Sequence, residues 1–408
     1  MREGAGQEPQ RETAGALAGT RVIDLSRVLA GPLATQMLSD HGAEVIKIEP
    51  PLGDETRTLG PPFVDESAAY YHALNRNKRA IALDLTKAEA REVLLRLLDG
   101  ADILVENFLL GTMESWGLGY DEVLAKRYPR LIYCRISGFG VDGPLGGLPG
   151  YDAVLQAQCG LMSINGHPDT GTTRVGIALV DITTGMSSTI GILLALAERS
   201  RSGRGQRVDL SLYDVGLSLL IPHAANWFAS NRAPQLNGSG HPNLAPYDKY
   251  RTTDGEIFLG VVNDGQFRKL CRALGREDLG ADERYRTNPG RVANRALLRK
   301  EIETMLAGRQ SAELCAALMA IGVPAGPVNT VPEAMTHPQT VQRNMSVEID
   351  GYRGIGVPAR LSRSPGAIQR RPPKFGEHTQ AVLAEAGYSN DDIERLIAAG
   401  AVLNKPRM

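Results

Sequence analysis

Cysteine is scarce. Only Cys134, Cys159, Cys271 and Cys315 occur in 408 residues, far apart and with no CxxC pair. This excludes a disulfide scaffold and a thiolate zinc site, and the mostly apolar or helical contexts suggest buried free thiols in a reducing compartment. The seven histidines show neither HExxH nor any other ligand spacing, so no metal is expected. Net charge is nearly absent: 45 Lys and Arg against 46 Asp and Glu leave −1, too little for a global field that recruits nucleic acid or an anionic membrane. Long apolar runs are lacking as well, and Ile182–Leu196 reads as too interrupted to span a bilayer. Residues 1–18 carry Glu3, Glu8 and Glu12 without an apolar core, which predicts a disordered tail and no signal or transit peptide. What remains is the composition of an ordinary soluble globular protein, expected in the cytoplasm and long enough for two or three domains.

The order of patterns is informative. Strand-like Arg21–Leu25, a helix opened by Gly31-Pro32 and running through Leu38, and strand-like Glu44–Ile48 make a βαβ unit. Strand Ala80–Asp84, helix Ala88–Leu98, strand Asp102–Val105, helix Tyr120–Ala125 and strand Leu131–Ile136 continue it. A further strand, Gln206–Ser211, precedes a long apolar helix through Trp227. The alternation predicts an α/β fold, a Rossmann-like parallel sheet covered by helices. Sites in such sheets lie at the carboxyl ends of strands, here the loops after Leu25, Leu83, Val105 and Ile136.

Residues 231–246, rich in Asn, Gly and Pro, read as a linker or functional loop. The expected organisation is a large domain over 19–225, an inserted smaller α+β domain over 226–330, and a segment over 331–408 returning to the large domain. Two dinucleotide-like signals fail. Gly138-Phe-Gly140-Val-Asp-Gly143 follows a strand, but Pro144, Gly146, Gly147 and Pro149 forbid the helix that would hold a pyrophosphate. Glu49 stands where a ribose acceptor would, yet the turn Ser26-Arg-Val-Leu-Ala-Gly-Pro lacks the glycine spacing.

Asp181 interrupts an apolar stretch. Val175–Val180 reads as a buried strand running into this lone carboxylate, followed by Thr183, Thr184, Gly185 and a second apolar run. A desolvated carboxylate is costly or takes up a proton. The residue is therefore either a helix N-cap, kept ionised by the helix dipole, or a reactive group.

Several stretches, in their shared order over nearly all of residues 18–402, resemble the family III CoA-transferases, which include formyl-CoA transferase and α-methylacyl-CoA racemase. They are Val28-Leu-Ala-Gly-Pro, Gly42-Ala-Glu-Val-Ile-Lys-Ile-Glu, Asn75-Arg-Asn-Lys-Arg, Val105-Glu-Asn-Phe, Gly150-Tyr-Asp, Val180-Asp-Ile-Thr-Thr-Gly and Gly203-Arg-Gly-Gln. Pro242-Asn-Leu-Ala-Pro-Tyr and Asn263-Asp-Gly-Gln-Phe look most like the dicarboxylate branch, which moves CoA from succinyl-CoA to other organic acids.

The resemblance implies that Asp181 is a nucleophile that becomes an aspartyl-CoA thioester, with backbone donors at Gly238 and Gly240 for the oxyanions. Apart from the resemblance, Arg174, seven residues before Asp181, is a candidate acid-binding cation, with Arg251 a weaker one, and His241 and Tyr151 are further candidates for contact with the substrate acid. Val28, Leu29, Ala30, Leu74, Asn75, Asn107, Phe108 and Asp152 would line the CoA path, with Lys78 or Arg79 on phosphate. CoA thioester would be a co-substrate, no cofactor being permanently bound, and the family's interlocked homodimer would be the assembly. Two departures are informative. The racemase branch has a histidine base where Tyr151 stands, and a phenol is a poor base at neutral pH. Formyl-CoA transferase carries a glutamine at the place of Leu29, which argues against oxalate or formate. The alternatives are an acyl-CoA racemase or epimerase and a non-catalytic acyl-CoA-binding subunit.

Overall fold

Val22-Ile23, Val45-Ile46, Ile81 and Ile103-Leu104-Val105 are almost completely buried at the centre of one sheet. Strands apolar on both faces are what a parallel sheet between helical layers requires. The computed structural model describes residues 15–407. Its strands are β1 (Arg21–Asp24), β2 (Glu44–Glu49), β3 (Lys78–Leu83), β4 (Ile103–Glu106), β5 (Ile132–Ser137) and β6 (Arg207–Ser211). They pair in parallel in the order β6-β5-β4-β1-β2-β3, and Val402–Leu403 adds an antiparallel seventh strand beside β3. Strand order therefore reverses between β1 and β4. In open sheets of this kind the crevice at the reversal is where ligands bind.

The helices that matter for the site are α1 (Ala30–Asp40), α2 (Ala88–Leu98), α3 (Asp152–Gln158), α4 (Leu179–Ser202) and α5 (Leu212–Ser218). Helix α2 buries Val93, Leu94, Leu97 and Leu98 against the sheet. Helix α4 buries Val180, Thr184, Gly185, Ser188, Thr189 and Ile192 on one face. A Cβ on Gly185 would stand 2.7 Å from Ala30 O, so the missing side chain lets α4 lie close on α1.

Here the expected local structure fails in three places. Residues 175–178 form no strand, and Ile177 is 54% exposed. Leu179 and Val180 belong instead to the first turn of α4. Nor is the apolar stretch interrupted: α4 is an unbroken 24-residue helix with a mean hydropathy of 1.6, values that also fit a bilayer span. Its hydroxyl-bearing inner face packs on α1, as in a core helix. The apolar helix expected through Trp227 is likewise two helices, α5 and His223–Ser230, parted by Pro222, which lacks the N–H a continuous helix needs.

Contacts divide the chain into two compact units. Among the described residues, one holds 15–159, Gly176–Leu219 and 338–407; the other holds Gly160–Val175 and Leu220–His337. The boundaries expected from sequence were 225/226 and 330/331. The second unit has an antiparallel sheet of Tyr247–Arg251, Glu256–Gly260 and Ala325–Pro327, with Tyr250, Ile257, Leu259, Phe267 and Ile302 in its core. Of the expected tail, residues 1–14 lie outside the described part, whereas Gly15–Ala18 form a turn in which Leu17 N donates to His41 O at 2.9 Å.

Candidate active site

The loops leaving β1 and β4 meet at the strand-order reversal. Asn107 closes both bonds of the Arg27 backbone: its Oδ1 accepts from Arg27 N at 2.9 Å and its Nδ2 donates to Arg27 O at 2.8 Å. Behind it, buried Glu106 accepts from Phe108 N at 2.7 Å and from the Tyr133 hydroxyl at 2.9 Å. Burial pushes the Glu106 carboxyl up to about 7 against these two bonds. The loops floor a cavity of about 270 Å³ lined by Arg27–Ala30, Asn107, Phe108, Gly150, Tyr151 and Asp181 among others. Arg27 lies over the Phe108 ring, 5.6 Å from its centroid, and pairs with Glu55 at 2.7 Å.

Asp181 enters the cavity from the first turn of α4. It does not cap the helix. That task falls to Asp152, whose Oδ1 accepts from Val180 N at 2.8 Å and Asp181 N at 3.3 Å, while its Oδ2 accepts from Gln156 Nε2 at 2.7 Å. Among the described residues no donor reaches the Asp181 carboxylate. Its pKa is raised from 3.8 to about 7, first by burial and then by the charge of Asp152. The expectation that the helix dipole keeps Asp181 ionised is therefore corrected: Asp152 already occupies the positive end of α4, and its charge repels a second one. A carboxylate with a raised pKa, met by no donor among the described residues and open to a cavity, is suited to react near neutral pH.

The expected CoA-binding residues part company. Val28, Leu29, Ala30, Asn107 and Phe108 do line the cavity. Tyr151 lines it too and is 71% exposed. Leu74 instead borders an apolar groove of about 670 Å³, which it shares with Leu29, Tyr70 and Met186. Lys78 cannot meet a phosphate: it is fully buried, and its Nζ donates to Asp24 Oδ2 at 3.1 Å, Pro32 O at 2.8 Å and Asn75 Oδ1 at 2.9 Å. The Asn75 side chain is consumed by that network and by Tyr71 O at 3.0 Å. Arg79 is paired with Glu44 at 2.8 Å and Glu385 at 2.7 Å. Asp152 anchors α4 and sets the charge next to Asp181.

The other expected residues belong to the second unit. Gly238, at φ +59°, donates from its N–H to Gly166 O at 3.0 Å; Gly240 N donates to Asn237 O at 2.9 Å. His241 Nδ1 accepts from Asn243 N at 3.0 Å, and burial, helped by Arg295 and His223, lowers its pKa. Arg174 is exposed, bonded to Val175 O at 3.2 Å, and Arg251 is exposed. The cavity's lining comes entirely from the first unit. Two cavity or groove residues escaped the sequence reading. Arg27 is the cation that faces the cavity, legible only as the residue after Ser26 in the first βα turn. Tyr70 carries a hydroxyl raised by burial and then by the charges of Asp181 and Asp152, and no local pattern marks it.

Residues 17–379 match the sequence model of CoA-transferase family III. The chain belongs to CoA-transferase family III. This CoA-transferase is 44% identical over 381 residues to a succinate–glutarate CoA-transferase of Agrobacterium fabrum, with 90% of this chain and 95% of that one covered. It is 39% identical over 389 residues to a succinyl-CoA:mesaconate CoA-transferase of Haloarcula hispanica, with 91% and 97% covered. The crystal structure of a CAIB/BAIF family protein from Brucella suis is similar with a TM-score of 0.83 and 44% identity, covering 91% of this chain and 100% of that chain. A CoA thioester is thus a co-substrate of the CoA-transferase.

Proposed function

We propose that this CoA-transferase moves CoA from succinyl-CoA to a second dicarboxylate such as glutarate, with Asp181 as the covalent relay. The Asp181 carboxylate attacks the thioester carbonyl and expels CoA thiolate, giving a mixed anhydride. The thiolate attacks the Asp181 carbonyl, releasing succinate and leaving an aspartyl-CoA thioester. The acceptor carboxylate attacks that thioester and expels CoA thiolate, giving a second mixed anhydride; the thiolate attacks the acceptor's carbonyl carbon, and the Asp181 carboxylate leaves. Bonds and charges balance without ATP, and each step is easier than a direct exchange.

One observation carries the reading: the cavity at the strand-order reversal is lined by a largely buried carboxylate, Asp181, that no hydrogen-bond donor reaches among the described residues. The activities of the relatives suggest the acids. The deciding experiment supplies succinyl-CoA and radiolabelled glutarate. Label in the CoA ester pool supports transfer; solvent deuterium at an α-carbon, or CoA binding without exchange, supports one of the alternatives. The exposed apolar outer face of α4, with Ile190 and Leu194 at 59% and 66%, supports a homodimer contact. The four buried free cysteines suit a reducing cytoplasm.

A pH dependence follows. Only ionised Asp181 attacks, so kcat/KM should rise with pH through a midpoint near 7, the value to which burial and Asp152 raise this group. Asp152→Asn keeps an oxygen for Val180 N but removes the repelling charge. Its pH–rate profile should show the acid limb at lower pH, and an unmoved limb would refute the coupling.

A further inference from the structure

Val28 has a φ of +68°. A β-branched residue seldom adopts the left-handed region, and holding one there costs on the order of 1–3 kcal/mol. The strain sits on the cavity floor. Directly beneath lies an ion pair shut away from water: Lys47 Nζ to Asp54 Oδ2 at 2.9 Å, with side-chain exposures of 1% and 0%. The pair grips the loop on either side of Arg27. Lys47 Nζ donates to Ser26 O at 2.9 Å, and Asp54 Oδ1 accepts from Val28 N at 3.3 Å. Asp54 is itself fixed, accepting from Thr56 N at 3.0 Å and Thr56 Oγ1 at 2.7 Å and donating from its own N–H to Glu49 Oε2 at 2.9 Å. Buried ion pairs rarely stabilise a fold more than apolar residues of similar volume do. Two unfavourable features, a strained backbone and a dehydrated pair, are thus joined by a hydrogen bond under the same cavity.

We propose that Lys47 and Asp54 form a positioning clamp that holds Ser26–Ala30 in its strained, ligand-ready form before CoA arrives. The strain is then met once, in folding, and not at each binding event. This rests on the transferase reading, because it takes the cavity's ligand to be CoA. Asp54 is a positioning residue acting through Val28. Freed of the clamp, Val28 relaxes to negative φ and binding must restore the strain. A strain near the lower end of that range, about 1.4 kcal/mol, corresponds to about tenfold in affinity. Glycine occupies φ near +68° without strain, so Val28→Gly should make the clamp dispensable.

The test measures kcat and KM for succinyl-CoA in the wild type, Val28→Gly, Asp54→Asn and Asp54→Asn/Val28→Gly. Asp54→Asn should raise KM about tenfold with kcat within about twofold, whereas in the glycine background the same change should leave KM within about threefold of Val28→Gly alone. A merely structural role predicts the opposite for the double variant, because glycine loosens the chain further. If circular dichroism shows Asp54→Asn unfolded, Thr56→Val keeps both charges and should raise KM about threefold, again only where Val28 is present. An unchanged KM in a folded variant, or a rise that persists in the glycine background, overturns the clamp and leaves transfer intact. Wild-type protein that exchanges no label overturns the transferase reading, and the clamp with it.

Discussion

Asp181→Asn should abolish CoA exchange, lowering kcat by on the order of 10³-fold or more, because an amide can form neither the anhydride nor the thioester. The fold should not suffer. Asn has nearly the shape of Asp, and no hydrogen bond to the Asp181 carboxylate is lost among the described residues. The electrostatics favour the variant. The folded carboxyl keeps its proton up to about pH 7, against 3.8 for the free group. Its contribution to stability is therefore full below 3.8 and is lost as pH rises through about 7, since the folded state is the one that resists ionisation. Thermal melts at pH 8 should place Asp181→Asn at or above the wild type, while label exchange is gone. Stability and activity would then oppose each other at one residue, as expected where a reactive group is held in an unfavourable environment.

Lys78→Met should be strongly destabilising, by roughly 3–5 kcal/mol, because removing one partner strands a buried charge. Asp24, fully buried, would lose its 3.1 Å partner, and Pro32 O and Asn75 Oδ1 would lose a donor each. Burial opposes ionisation of Asp24, but Lys78, Lys47 and the Ser26 and Thr35 hydroxyls together hold its carboxyl below the usual range. Urea unfolding reads the loss. Asp24→Asn combined with Lys78→Met should cost less than the two changes summed, since neither charge is then stranded. The neighbouring Arg79→Ala gives the contrast. Its pairs with Glu44 and Glu385 are partly solvated, so the loss should stay below about 1 kcal/mol. KM for succinyl-CoA should be unchanged, because Arg79 does not line the cavity. An Arg79 variant that loses CoA affinity would support the phosphate role expected of it.

The sheet was legible because its signals are local. Aliphatic strands and helix periodicity repeat within windows of a dozen residues, and the limits of α2 match the expected Ala88–Leu98. The loops flooring the cavity followed from the rule for strand ends. What sequence could not show depends on partners far along the chain. Val175–Val180 has the residues of a strand, but helix α4 starts within it because Asp152, 28 residues earlier, binds the Val180 N–H. Lys78 and Arg79 read as one basic turn. One is drawn inside by Asp24, 54 residues away, and the other outside by Glu385. Asp181 was identifiable as a charge out of place; whether it capped a helix or faced a cavity was decided by Asp152.

The most direct test is the intact mass of the protein, quenched during turnover with succinyl-CoA and split into samples with and without hydroxylamine. The account predicts a CoA-sized increment that hydroxylamine removes, leaving a hydroxamate mapped to Asp181, and no increment in Asp181→Asn. Wild-type protein that exchanges label at full rate while its mass never changes, or carries the adduct on another residue, would contradict it.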